Sequence, residues 1–436
     1  MCRRERLRSH QVNGTQNNRG SVAQTCLISA AGIEQTALGA NLERSDRLIL
    51  TDLPSCANLD AIMSKYEIRP GSVELTRSQL AALDHITQYA RHRKSGAGKA
   101  IDEVLYMSSI ASETLEAAVG KIKSHAMVAL HFHPDRPDRE MKTVAEALLE
   151  QGIYKSQFET SLSSGGLTAY PGGQRDIWEK DSFGGAYHLE DSTDSQRPKY
   201  GALNLMLHPD GPSPRFGSCY FLLSPDVSSR CTFSYMDSSV EPKERGTYEE
   251  FDDILASLLK DAFFRESALG ENNLTPRKLI DHLLVSLEPP ILDPAESEPS
   301  RNLNHYIEAQ VHGDVSLERD VRALVADPSF KGTRIGCTLE QVCLLYGINL
   351  YWHMGFALPV SEVPVDFRGA SMPSLAARIA SDGLVEANRI GDAAGDLKRD
   401  PASWSNRGTY GEVLQELKYL WHVLVRFGKP HRFFQR

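Results

Sequence analysis

Regular patterning in this chain begins near Thr76. Leu80, Leu83, Ile86 and Tyr89/Ala90 recur at the spacing of a helix's apolar face, and a second helix is predicted over Ala100–Lys123, after the Gly-rich SGAGK. Together they make a helical segment at 75–125. The next apolar run, Met127-Val128-Ala129-Leu130, is short and continuous, as in a buried strand, and it delivers His131, His133, Asp135 and Arg136 at its end. A helix follows over Glu140–Gln151, with Val144, Ala147 and Leu148 on one face and Gly152 to stop it. Short strands are predicted at 200–207, 218–223 and 230–235. Thr247 and Glu250 form a capping box for a helix carrying Phe251, Ile254, Leu255 and Leu258, and Thr275-Pro276 opens another. In the last third, HYIEAQVH at 305–312 alternates as a strand, and helices are predicted at 316–326, 338–346, 373–381 and 411–426.

The sum is an α+β chain. Its sheet is mixed or antiparallel, with strands near 127–133, 200–235, 305–312 and 348–358, and helices flank it. Residues 1–25 are polar and predict a disordered tail, whereas 26–72 carry no long period. The core spans 126–370, interrupted by the acidic, Pro-rich EPPILDPAESEPS at 288–300, and helices make up 371–436. There is no internal repeat.

Composition narrows the function classes. In 436 residues, 41% are hydrophobic and the net charge is −9, which provides for a sizeable core and argues against nucleic acid or anionic membranes as partners. No apolar run approaches the ~20 residues of a membrane span. Seven cysteines form no CxxC pair and leave an odd one over, which points to a reducing, cytoplasmic setting. The N-terminal MCRRERLRSHQ lacks the apolar stretch of a secretory signal; its Arg and Ser content suits a mitochondrial presequence, but a plain polar tail explains it as well.

Three patterns carry candidate chemistry. In the first, His131 and His133 alternate along a strand onto one face, with Asp135 close behind. HxH at a strand end can supply two metal ligands, with others to come from His188, His312, Asp320 or His353; the plainer reading, one buried imidazole and one facing a ligand, implies no metal. Arg136, fixed between two prolines, can grip a phosphate through paired hydrogen bonds. In the second, Ser161, Ser163 and Ser164 run into Gly165-Gly166 and Tyr170 follows, so hydroxyls on a strand edge can bind a ribose or amide where glycines permit close approach. In the third, Tyr306, Glu308, Gln310 and His312 share one face of a strand while Ile307, Ala309 and Val311 face the core. A carboxylate held by strand packing is well placed for catalysis. Cys219 and Cys231 read as buried small residues, and no GxGxxG or Walker-type loop is present.

The runs LHFHPDR, FETSLSSGGLTAYPGGQRDIWE, FGGAYH, RPKYGALNL, PRFGSCYFLL and HYIEAQVHG resemble a family of bacterial and fungal proteins defined only as a domain of unknown function, over about residues 75–436. A more distant resemblance is to mono-ADP-ribosyltransferases, whose order is a strand with Arg or His, a Ser-rich run or Tyr, and a late strand with Glu. That resemblance implies an ADP-ribosyltransferase-like core with NAD as substrate and an unnamed acceptor. It implies that His133 or Arg136 contacts the ribose or diphosphate, that Ser161, Ser163, Ser164, Tyr170 and Gln310 shape the nicotinamide pocket, and that Glu308 stabilises the oxocarbenium-like state. SLSS stands in place of STS, and Gln310 stands where arginine-modifying members carry a second Glu, so arginine is not the implied acceptor. Two other functions remain open: a metal-dependent hydrolase on His131, His133 and Asp135, and a non-catalytic binding module.

Overall fold

Hydroxyl caps start many of the helices. The structure, a computed structural model, describes residues 73–162, 168–288 and 299–431, which fall within one compact unit. The tail expected at 1–25, the residues Ser163 and Ser164, and most of the Pro-rich loop lie outside the described residues. Thr76 caps α1 (Arg77–Met107), and α2 (Ser112–His125) follows after a break at Ser108–Ala111. Thr143 and Glu146 form a capping box at α3 (Val144–Gln151), which Gly152 ends in the left-handed conformation. Then come α4 (Gln174–Ser182), α5 (Asp252–Phe264), α6 (Pro276–Ser286) and α7 (Arg334–Tyr346). Three C-terminal helices close the chain: α8 (Met372–Ile379), α9 (Ala387–Arg399) and α10 (Tyr410–Phe427).

Eight strands form the main sheet. In chain order they are β1 (Met127–Phe132), β2 (Lys199–Asn204), β3 (Cys219–Leu223), β4 (Cys231–Tyr235), β5 (Arg245–Thr247), β6 (Ile307–Val311), β7 (Val321–Ala326) and β8 (Asn349–Trp352). Their order across the sheet is β8-β7-β3-β1-β2-β6-β4-β5, antiparallel throughout except for the parallel pair β7–β8, which α7 connects. The sheet is therefore mixed, and the fold is α+β as expected.

Register divides the sheet into two faces. Ala129 pairs with Ala202 and Leu222, Ala202 with Glu308, and Glu308 with Ser234, so these residues share a face. The opposite face presents Val128, Leu130, Leu203, Phe221, Ile307, Ala309 and Val311, all buried in the main core. On the first face, Ala129, Tyr220, Leu222, Ala323 and Val325 make a small apolar cluster toward β7. Toward β4 that same face turns polar.

Three expectations are corrected. α1 runs unbroken through SGAGK, because Ala97, Ala100, Ile101 and Val104 bury one continuous stripe that outweighs the cost of two glycines. The helix expected at 316–326 is one turn, Leu317–Asp320, followed by strand β7, whose pairing with both β3 and β8 overrides local propensity. Thr160 and Ser161, the described part of the hydroxyl run, do not lie along a strand edge, because Gln157–Thr160 is a helical turn capped by Ser156 and ended by Ser161.

Candidate functional site

Glu308 sits in the middle of the sheet, on β6 between β2 and β4, and is 5% exposed. Its two oxygens accept from Gln310 Nε2 at 2.9 Å and from the Ser238 backbone N–H at 3.3 Å. Burial, and then the neighbouring Asp237 carboxylate, push its carboxyl up to about 7; Arg175, Gln310 and Ser238 pull the other way. Gln310 in turn accepts from Thr232 Oγ1 at 2.8 Å and donates to Ser234 Oγ at 3.3 Å. The two β4 hydroxyls thus lock the amide, and the amide orients Glu308. His312 extends the row, bonded to Thr232 and Tyr187; burial pushes its imidazole down to about 3, so it is neutral.

The wall above this strand is α4. Arg197, just ahead of β2, bridges Glu179 at 2.8 Å and Asp176 at 2.6 Å, His188 lies 3.0 Å from Asp176, and the Tyr200 hydroxyl donates to Glu179 at 2.9 Å. This buried network fixes α4, and with it Arg175, whose guanidinium lies 4.3 Å over the Tyr200 ring and donates to Ser238 Oγ at 3.3 Å. Arg175 Nε is buried with no partner among the described residues. Beside this group is a narrow recess with free space of about 20 Å³, lined among others by Trp178, Phe183, Tyr200, Ser234, Ser238 and Gln310. Three of those residues touch or face Glu308. Aromatic, amide and hydroxyl groups with a carboxyl directly behind them have the chemistry that recognises a flat, polar-edged ring attached to a sugar, and such a ring enters only when the walls part.

The residues around His133 gather elsewhere. β1 runs parallel to β6 two strands away, with Ala129 level with Glu308. That register puts His133 roughly 16 Å from Glu308, and Arg136 follows after a turn at residues 134–135, its N–H bonded back to the His133 carbonyl. His133 lies edge-on to Trp421, 5.2 Å between ring centres, and its Nδ1 is 3.4 Å from Ser218 Oγ. His131 is held by the Gly217 carbonyl and the Ser213 N–H, 4.8 Å from the Tyr220 ring. Gly211, with φ of +76°, makes this possible, since a Cβ there would overlap the imidazole. Asp135 is pushed up to about 7 by burial, against the pull of Arg136, and neither of its oxygens has a hydrogen-bond partner among the described residues. Among the described residues no three His, Cys, Asp or Glu side chains come together as metal ligands.

The rest of the predicted set divides. Glu308 and Gln310 are in direct contact, as strand alternation implies. Ser161 caps the turn after Thr160, accepts from Arg139 and stays outside the recess. Tyr170 is 56% exposed and does not line it. Sequence reasoning missed Arg175 and Tyr200. The alternation of YGALN does place Tyr200 on the face of Ala202, but nothing in the sequence says that this face meets Glu308.

Residues 127–427 match the model of a family described as a protein of unknown function, DUF3626. No curated protein matches the chain.

Proposed function

We propose that this chain, which belongs to the DUF3626 family, cleaves the nicotinamide–ribose bond of NAD and passes the ADP-ribosyl group to an acceptor or to water. The reading rests on one observation: a carboxyl group fixed on an interior strand, oriented by Gln310 and the Ser238 N–H, directly behind the polar lining of an aromatic and polar recess. As the C1′–N bond breaks, its electron pair leaves with nicotinamide and positive charge develops on the ribose. A carboxylate beside the 2′-hydroxyl stabilises that charge, as in glycoside hydrolysis. The aromatic side of the recess, Trp178 and Phe183, would take the nicotinamide ring, and the Ser234 and Ser238 hydroxyls its amide. The acceptor's attacking atom then bonds to C1′ and gives up its proton to solvent.

Nicotinamide release from NAD is the test. Glu308→Gln keeps the shape and loses the charge, so turnover falls by about 10²–10³. No release by the wild type, or equal release by the variant, would overturn the assignment.

A further inference from the structure

A second group of side chains lies alongside Asp237, on elements that the proposed chemistry does not use. Lys418 and His422 stand four residues apart on α10 and so share one face of that helix. Arg215 belongs to the turn Pro214–Phe216, which α10 holds through the 2.9 Å bond from Trp421 Nε1 to the Pro214 carbonyl. Its guanidinium donates to the Leu303 carbonyl at 3.1 Å and to Asn304 at 3.0 Å, and lies 3.7 Å from Asp237. Arg368 comes from the segment before α8. Its backbone has φ of +65°, and its guanidinium lies 5.2 Å from the Phe367 ring and 5.8 Å from the Tyr419 ring.

Among the described residues, only Arg215 of these groups has an acidic partner, Asp237. Arg368 and Lys418 make no hydrogen bond or ion pair with any described residue, and the Nε atoms of Arg215 and Arg368 are buried without one. His422 is 1% exposed, and neither of its ring nitrogens has a partner among the described residues. Arg215, Arg368 and Lys418 thus act on one another at close range, with Asp237 as the carboxylate beside Arg215 and Lys418, within a chain of net charge −9. Burying unpaired donors and like charges together is costly, and an anion that accepts from all of them offsets the cost. The crowding shows in Lys418, whose ammonium is pushed down to about 8 by burial and then by Arg215 and Arg368.

We propose that Arg215, Arg368, Lys418 and His422 bind the diphosphate group of a nucleotide. Three cations against one carboxylate leave two positive charges, matching the two negative charges of a diphosphate diester, and guanidinium groups suit paired phosphate oxygens. The position also fits. Asp237 accepts from the Tyr306 hydroxyl at 2.8 Å, Tyr306 packs edge-on against Phe216, and Asp237 is the carboxylate whose charge acts on Glu308. The diphosphate would therefore lie next to the ribose site. In that respect the inference rests on the NAD reading, and it moves the phosphate grip away from Arg136.

Calorimetric titration of the full chain with inorganic diphosphate and with ADP-ribose tests the site separately from turnover. Both should bind saturably, ADP-ribose the tighter, and both should weaken at least tenfold in the double variant Arg368→Gln/Lys418→Gln. Arg334→Gln, at an exposed arginine at the start of α7, should leave binding unchanged. If the double variant does not fold, Lys418→Gln alone, which strands no partner, should still weaken both several-fold. Absence of saturable binding by the wild type, or wild-type affinity in the folded variants, overturns the site. Binding without nicotinamide release would keep the anion site and remove the proposed reaction; release with unaltered diphosphate affinity in the variants would do the reverse.

Discussion

Glu308 couples the fold and the proposed chemistry to pH in opposite directions. Its carboxyl is raised from 4.5 to about 7, so folding favours the protonated form. Stability is then greatest below the ordinary carboxyl value and is lost as pH rises from about 4.5 through 7. Glu308→Gln should accordingly melt above the wild type at pH 8, by up to about 3 kcal/mol of stability, and lose that advantage at pH 4. Melting curves showing the same difference at both pH values would mean that the carboxyl does not titrate in this window. Turnover needs the carboxylate, so nicotinamide release should rise with pH about a midpoint near 7, and a flat profile from pH 5 to 8 would give the work to another group. Glu308 and Gln310 were legible in the sequence because strand alternation alone puts them on one face, away from Ile307, Ala309 and Val311. Arg175, Arg215, Arg368 and Lys418 were not, because each is an ordinary surface-type residue until tertiary packing brings its element to the sheet.

At the scale of elements, the sequence told helix from strand wherever one face is buried and misled where two signals competed. α3 and α10 have clear apolar faces, and those faces put α10 within a residue of its ends and α3 at its C-terminal end, while Thr143 and Glu146 start α3 four residues after Glu140. SGAGK reads as a break on propensity, yet Ala97 and Ala100 keep α1 on the core. Gly96 meets nothing within 4 Å of a built Cβ and is exposed, so Gly96→Ala should stabilise the protein by about 1 kcal/mol, seen as a higher denaturant midpoint. Gly391 on α9 is the opposite case, since a Cβ there would overlap the Asp135 carboxyl. Gly391→Ala should cost about 1–3 kcal/mol by the same measurement, and a neutral result would mean that Asp135 swings away freely.

For the whole molecule, the C-terminal helices are part of the core. Val413, Leu417, Leu420, Trp421, Val423 and Leu424 are fully buried, and Trp421 meets both His133 and Phe356. Deleting the chain from Tyr410 onward should strip that cover and give aggregated protein in size-exclusion chromatography. A monomer with the wild-type melting temperature would show the helix to be dispensable. The strand order has a further consequence, in time rather than space. β6 inserts between β2 and β4, both of which precede it in the chain, and some 70 residues separate the end of β4 from its start. Until Ile307 has left the ribosome, the growing chain carries two open sheet edges flanking the gap that β6 will fill. The strand that brings Glu308 is therefore also the one that seals those edges, and the proposed catalytic carboxyl arrives only when the sheet becomes continuous.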